Sequence, residues 1–132
     1  MKLLFLFFNL LIINLNTHEK IYIREFYPNK IVKAEGWMQS NKKEDYWFFY
    51  NENGSKKEEG HYENGKKVNW WIFYNTKNKI VKKCEYKNDK LNGFTIIYEN
   101  GEITKAEKYN VGKKIKEWES IAEFKKDNTD LL

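Results

Sequence analysis

The sequence predicts an all-β fold, an elongated, twisted antiparallel sheet of tandem β-hairpins. Three observations carry this: an internal period of 24 residues, Asn-Gly turn signals within each period, and aromatic blocks suited to strands between them. Three segments align without gaps. They run from Gly36-Trp37-Met38 to Tyr46-Trp47-Phe48-Phe49-Tyr50, from Gly60-His61-Tyr62 to Trp70-Trp71-Ile72-Phe73-Tyr74, and from Cys84-Glu85-Tyr86 to Phe94-Thr95-Ile96-Ile97-Tyr98. Composition agrees, since aromatics make up 17% of 132 residues, alanine is scarce and the single proline is Pro28. That length suits one modest domain.

In chain order, residues 1–17 read as a secretory signal peptide: Lys2, an apolar run from Leu3 to Ile13, then polar residues. At 11 residues, interrupted by Asn9, the run is shorter than the ~20 a membrane-spanning helix needs. No small-x-small cleavage site follows it, so an uncleaved anchor is the alternative reading. The absence of a cysteine after the run removes a lipid-anchored lipoprotein. Next comes a partial copy, with Arg24-Glu25-Phe26-Tyr27 set against Trp47-Phe48-Phe49-Tyr50 and Pro28-Asn29-Lys30 as its turn. Within the full copies, Asn53-Gly54 and Asn100-Gly101 follow one strand of each pair, and Asn64-Gly65 and Asn88-Asp89 follow the other. Tight hairpin turns need positive φ, which Gly permits and Asn tolerates, so two turns per period mean two strands per repeat. A fourth copy follows the loss of one loop residue, placing Tyr109, Gly112 and Trp118 where Tyr62, Gly65 and Trp71 fall. The strands predicted are 21–27, 31–38, 46–50, 56–62, 70–74, 80–86, 94–98, 103–109 and 117–121. Residues 122–132 read as a short cap and a frayed tail.

The string from Glu59-Gly60-His61-Tyr62-Glu63-Asn64-Gly65-Lys66-Lys67 through Trp70-Trp71-Ile72-Phe73-Tyr74 resembles the MORN-like repeat variant of YwqK-type proteins, and the likeness covers residues 20–121. That pattern has a second glycine, which here is Asp45, Asn69 and Lys116 and survives as Gly93, while its tryptophan is Thr95 in the third copy. The resemblance implies an elongated, twisted antiparallel sheet of stacked hairpins. It also implies a label often attached to such proteins, the antitoxin of a toxin–antitoxin pair.

The aromatic blocks place large apolar side chains on both faces of their strands. The candidate binding surface is Trp47, Phe49, Trp71, Phe73, Tyr50, Tyr74, Tyr98 and Trp118. Two readings of these residues stay open: a same-face ladder inside a common core, with Tyr50, Tyr74 and Tyr98 as its rungs, or an exposed strip that binds a partner. Paired lysines recur as Lys56-Lys57, Lys66-Lys67, Lys82-Lys83 and Lys113-Lys114. They suit either an anionic lipid headgroup or protection of sheet edges against mispairing.

Catalysis has no candidate residues. His18 and His61 are the only histidines and neither has a ligand or nucleophile at a useful spacing. Cys84 is the single cysteine and sits in a strand pattern, so it reads as a packed side chain. The acidic residues stand between lysines, and no phosphate-cradling loop occurs. A formal charge of +5 is too slight for a nucleic-acid footprint. The expected protein is exported, to the periplasm, the envelope or the exterior, and needs no cofactor. It acts as a binding or scaffold module through its aromatic sheet face. Its partner is another protein, a toxin among the candidates, or an envelope component. The alternative is an immunity-type protein that neutralises a toxin.

Overall fold

A computed structural model describes residues 19–131 of the chain; the signal segment read over residues 1–17 lies outside them. Every hairpin turn among the described residues holds at least one residue at positive φ. These turns divide the described residues into nine strands: β1 (Ile21–Phe26), β2 (Val32–Gln39), β3 (Lys42–Tyr50), β4 (Lys56–Glu63), β5 (Lys66–Tyr74), β6 (Ile80–Lys87), β7 (Lys90–Glu99), β8 (Glu102–Asn110) and β9 (Lys113–Trp118). They form one open antiparallel sheet in sequence order. Asn64-Gly65, Asn88-Asp89 and Asn100-Gly101 have positive φ at both residues, the geometry whose twist matches paired strands. A helix α1 (Ile121–Asp127) and one 3-10 turn (Thr129–Leu131) complete the fold.

The strands β3, β5, β7 and β9 each begin about one turn-length before their predicted starts. Their first residues, such as Lys42-Lys43-Glu44-Asp45, are polar and read as loop, yet they pair across a bulge. Opposite Gly36-Trp37 the pairing jumps from Trp47 to Glu44, leaving Asp45 and Tyr46 as the inserted pair. Opposite Gly60-His61 it jumps from Trp71 to Val68, leaving Asn69 and Trp70. The bulge turns on Asp45, Asn69 and Gly93, at φ of 58°, 57° and 113°. The second glycine of the repeat is therefore a left-handed backbone position, which Asn and Asp fill at modest cost.

The bulge sets up the main packing unit. Trp47 lies flat on Gly36 and Trp71 on Gly60, so that a Cβ on either glycine would stand 2.4 Å from the indole. Glycine is needed here for close approach rather than for backbone freedom. Each indole Nε1 donates to a carbonyl beside the bulge, Trp47 to Trp37 O at 2.9 Å and Trp71 to His61 O at 3.1 Å. In the third copy both members change together, to Cys84 opposite Thr95.

Two readings of the copies need correction. The first partial copy is displaced by one residue: the turn closed by Tyr27 N–H on Ile31 O matches that closed by Asn51 N–H on Ser55 O, a spacing of 24. Ile23, not Arg24, therefore faces Gly36 where Trp47 faces Gly60. The fourth copy has Lys116 at the bulge position, and the left-handed residue is lost. The bulge shrinks to a single inserted residue, Ile115, because Lys108 pairs Lys116 and Tyr109 pairs Lys114. A one-residue slip exchanges the faces of a strand. Trp118 consequently emerges on the face opposite Trp47 and Trp71, packed with Phe94 and Phe124. There α1 covers it, started by Ser120, whose side chain accepts Glu123 N–H at 3.2 Å. The segment predicted as strand through 121 thus turns into helix after Trp118.

Candidate binding surface

The sheet has a tryptophan face, bearing Trp47 and Trp71, and a helix face, bearing α1. On the tryptophan face the aromatic rings interlock, with Trp71 edge-on to Tyr62 at 5.0 Å and beside Phe49 at 6.0 Å. Lysines lie over the rings: Lys43 over Trp47 at 4.8 Å, Lys67 over Trp71 at 4.0 Å and Lys82 over Phe73 at 4.8 Å. Their alkyl stems close the surface and their charges meet the ring quadrupoles. Trp47 and Trp71 are 0% exposed although no second layer covers them. Members of the lysine pairs cover rings on both faces, Lys67 and Lys82 on this one and Lys56 over Tyr74 and Lys83 over Tyr98 on the other. Burial pushes the Tyr62 and Tyr86 hydroxyls up to about 12. Cys84 is fully buried in this face, and burial raises its thiol pKa against a smaller pull from Thr95, as befits a packed side chain.

On the helix face a second unit repeats at the same period. Glu35 accepts Arg24 Nε at 2.8 Å and the Tyr50 hydroxyl at 3.0 Å. Glu59 accepts the Tyr46 hydroxyl at 2.9 Å and Lys56 Nζ at 3.1 Å. Burial pushes the Glu35 carboxyl up, but Arg24, Tyr50 and Tyr22 outweigh it and hold the pKa below the usual carboxylate range. Burial, reinforced by Glu35, raises the Tyr50 hydroxyl to about 12. These carboxylates are thus committed to joining neighbouring hairpins. At the third position Glu gives way to Lys83, which lies over Tyr98 at 5.6 Å.

The eight sequence-predicted residues divide between the faces. Trp47, Phe49, Trp71 and Phe73 share the tryptophan face, while Tyr50, Tyr74, Tyr98 and Trp118 lie on the helix face. Trp47, Trp71 and Trp118 are core residues, the last 4% exposed, and present no indole to a partner. The tryptophans that do reach solvent are Trp37 and Trp70, each 40% exposed and both on the helix face. Trp70 is the bulge residue after Asn69, and Trp37 stands edge-on to Tyr22 at 5.3 Å. The available signal was the doublet Trp70-Trp71, in which neighbouring strand residues must point to opposite faces. Beside Trp70, between β7 and α1, lies an apolar groove of about 470 Å³.

Among the described residues no group of three or more His, Cys, Asp or Glu side chains is placed to hold a metal ion. Nor, among those residues, is any helix long and apolar enough to cross a membrane. No protein-family model matches the chain, and no curated protein matches it as a relative.

Proposed function

We propose that the protein is an exported, non-catalytic binding module that holds another protein or a cell-envelope component against the helix face of its hairpin sheet. The observation that carries this reading is the sorting of the aromatics. One face buries Trp47 and Trp71 completely, whereas the other leaves Trp37 and Trp70 each 40% exposed, with Trp70 beside an apolar groove. Exposed tryptophan in a rigid sheet contributes large contact area with little side-chain entropy to lose. Export rests on the signal-like layout of residues 1–17, and the scaffold role accords with the resemblance to MORN-like repeats. The test is co-purification from native cells through a tag on Leu132, comparing the intact protein with Trp70→Ala. A partner retained by the first and lost by the second supports the reading and identifies the partner, a toxin among the candidates. Identical recovery by both overturns it.

A further inference from the structure

The groove beside α1 is lined mainly by apolar side chains. Phe94, Ile96 and Tyr98 of β7 form its floor, Ile121 and Phe124 of α1 stand on one side, and Trp70 stands on the other. Its charged lining is limited to Glu85 and Lys125. The Glu85 carboxylate is already occupied, accepting Phe94 N–H at 2.9 Å. An extended peptide laid here would leave its own N–H and C=O groups unpaired against apolar side chains. A hydrocarbon chain has no such groups to satisfy.

Apart from Glu85, whose carboxylate is engaged by Phe94 N–H, the charges at the groove are lysines. Lys125 lines it, Lys83 lies over the Tyr98 ring at 5.6 Å and Lys108 over the Phe94 ring at 5.3 Å. Among the described residues none of these three lysines forms an ion pair, although Lys56, Lys67, Lys105, Lys114 and Lys116 all do. Unpaired cations rimming an apolar trough complement a ligand with a hydrocarbon body and an anionic end.

We propose that this groove binds a long-chain fatty acid, its hydrocarbon chain lying along Phe94 and Ile96 and its carboxylate met by Lys125. The proposal rests on the helix face being the working surface. The test is calorimetric titration of the full chain with monomeric hexadecanoate, with dodecanoate, hexadecanol and hexadecyltrimethylammonium as comparisons. One-to-one binding is expected, weakening roughly two- to four-fold per methylene removed. Hexadecanoate binds about ten-fold tighter than the alcohol, and Lys125→Gln removes most of that preference while leaving the alcohol's affinity unchanged. Ile121→Asp, checked for folding by circular dichroism, abolishes binding of both. Absence of saturable binding, equal affinity for the acid and the alcohol, or unchanged binding in folded Ile121→Asp overturns the proposal. So does binding confined to vesicles of anionic phospholipid. If hexadecanoate fails while Trp70→Ala still loses a co-purifying partner, the fatty-acid proposal falls and the binding-module reading stands.

Discussion

Replacing Gly60 by alanine tests the packing unit on which the sheet is built. The added methyl would stand 2.4 Å from Trp71 Cδ2 and 2.5 Å from its Cε2 and Cγ, so the rigid indole has to move. It cannot move freely, being held by Tyr62 at 5.0 Å, by Lys67 at 4.0 Å and by its hydrogen bond to His61 O. Overpacking of this kind costs about 1–3 kcal/mol, and loss of the indole hydrogen bond about 1 more. A total of about 2–4 kcal/mol is a large share of a domain stability of about 5–15 kcal/mol. Urea denaturation followed by circular dichroism and tryptophan fluorescence measures it. The φ of Gly60 is not positive, so backbone strain does not confuse the result. A second arm borrows the third repeat: Gly60→Cys combined with Trp71→Thr recreates the Cys84–Thr95 pair. In a double-mutant cycle that pair should be at least about 1 kcal/mol more stable than the two single changes predict by addition. A loss below about 0.5 kcal/mol for Gly60→Ala, or strict additivity in the cycle, would refute the reasoning.

Other consequences concern single positions and pH. Val111, a β-branched residue at φ 45° and largely exposed, strains its turn with Gly112, so Val111→Asn should raise stability by about 1 kcal/mol in the same urea assay; no gain contradicts the strain. Ser120→Ala removes the N-cap of α1 and should cost about 1 kcal/mol, with faster proteolysis after Lys125 and Lys126 as the local signature. Tyr50, Tyr62 and Tyr86 keep their protons up to about 12 when folded, against an ordinary value of 10. Because the unfolded chain loses those protons first, their contribution is intact below pH 10 and drains as pH rises towards 12. The slope is up to about 1.4 kcal/mol per pH unit for each tyrosine, reduced by solvent at these half-buried sites. Urea midpoints that stay flat from pH 9.5 to 11.5 would contradict it.

Periodicity and turn chemistry made the nine strands legible, because Asn-Gly and its relatives recur at fixed positions and each hairpin repeats the last. The bulge was not legible, since Asp45, Asn69 and Gly93 share a backbone conformation rather than a side-chain type. Without the bulge, strand parity beyond it is undetermined, so the repeat alignment sets Trp118 with Trp47 and Trp71 although Lys116 sends it to the other face. The burial of Trp47 and Trp71 depends on cross-strand glycines 11 residues earlier and on lysines four residues earlier that reach over the rings only because the bulge lies between them, which strand alternation alone does not encode. The exposed Trp37 and Trp70 were hidden for the same reason: each is read as one more aromatic until the faces are assigned.

A binding surface on the helix face requires that this face meet the partner in the cell. A photo-reactive phenylalanine analogue placed singly at Trp37, Trp70 and Phe73, followed by irradiation of intact cells, decides it. Crosslinks to a common partner are expected from positions 37 and 70 and none from 73. Crosslinks from 73 alone, or equally from all three, would contradict a binding surface on the helix face.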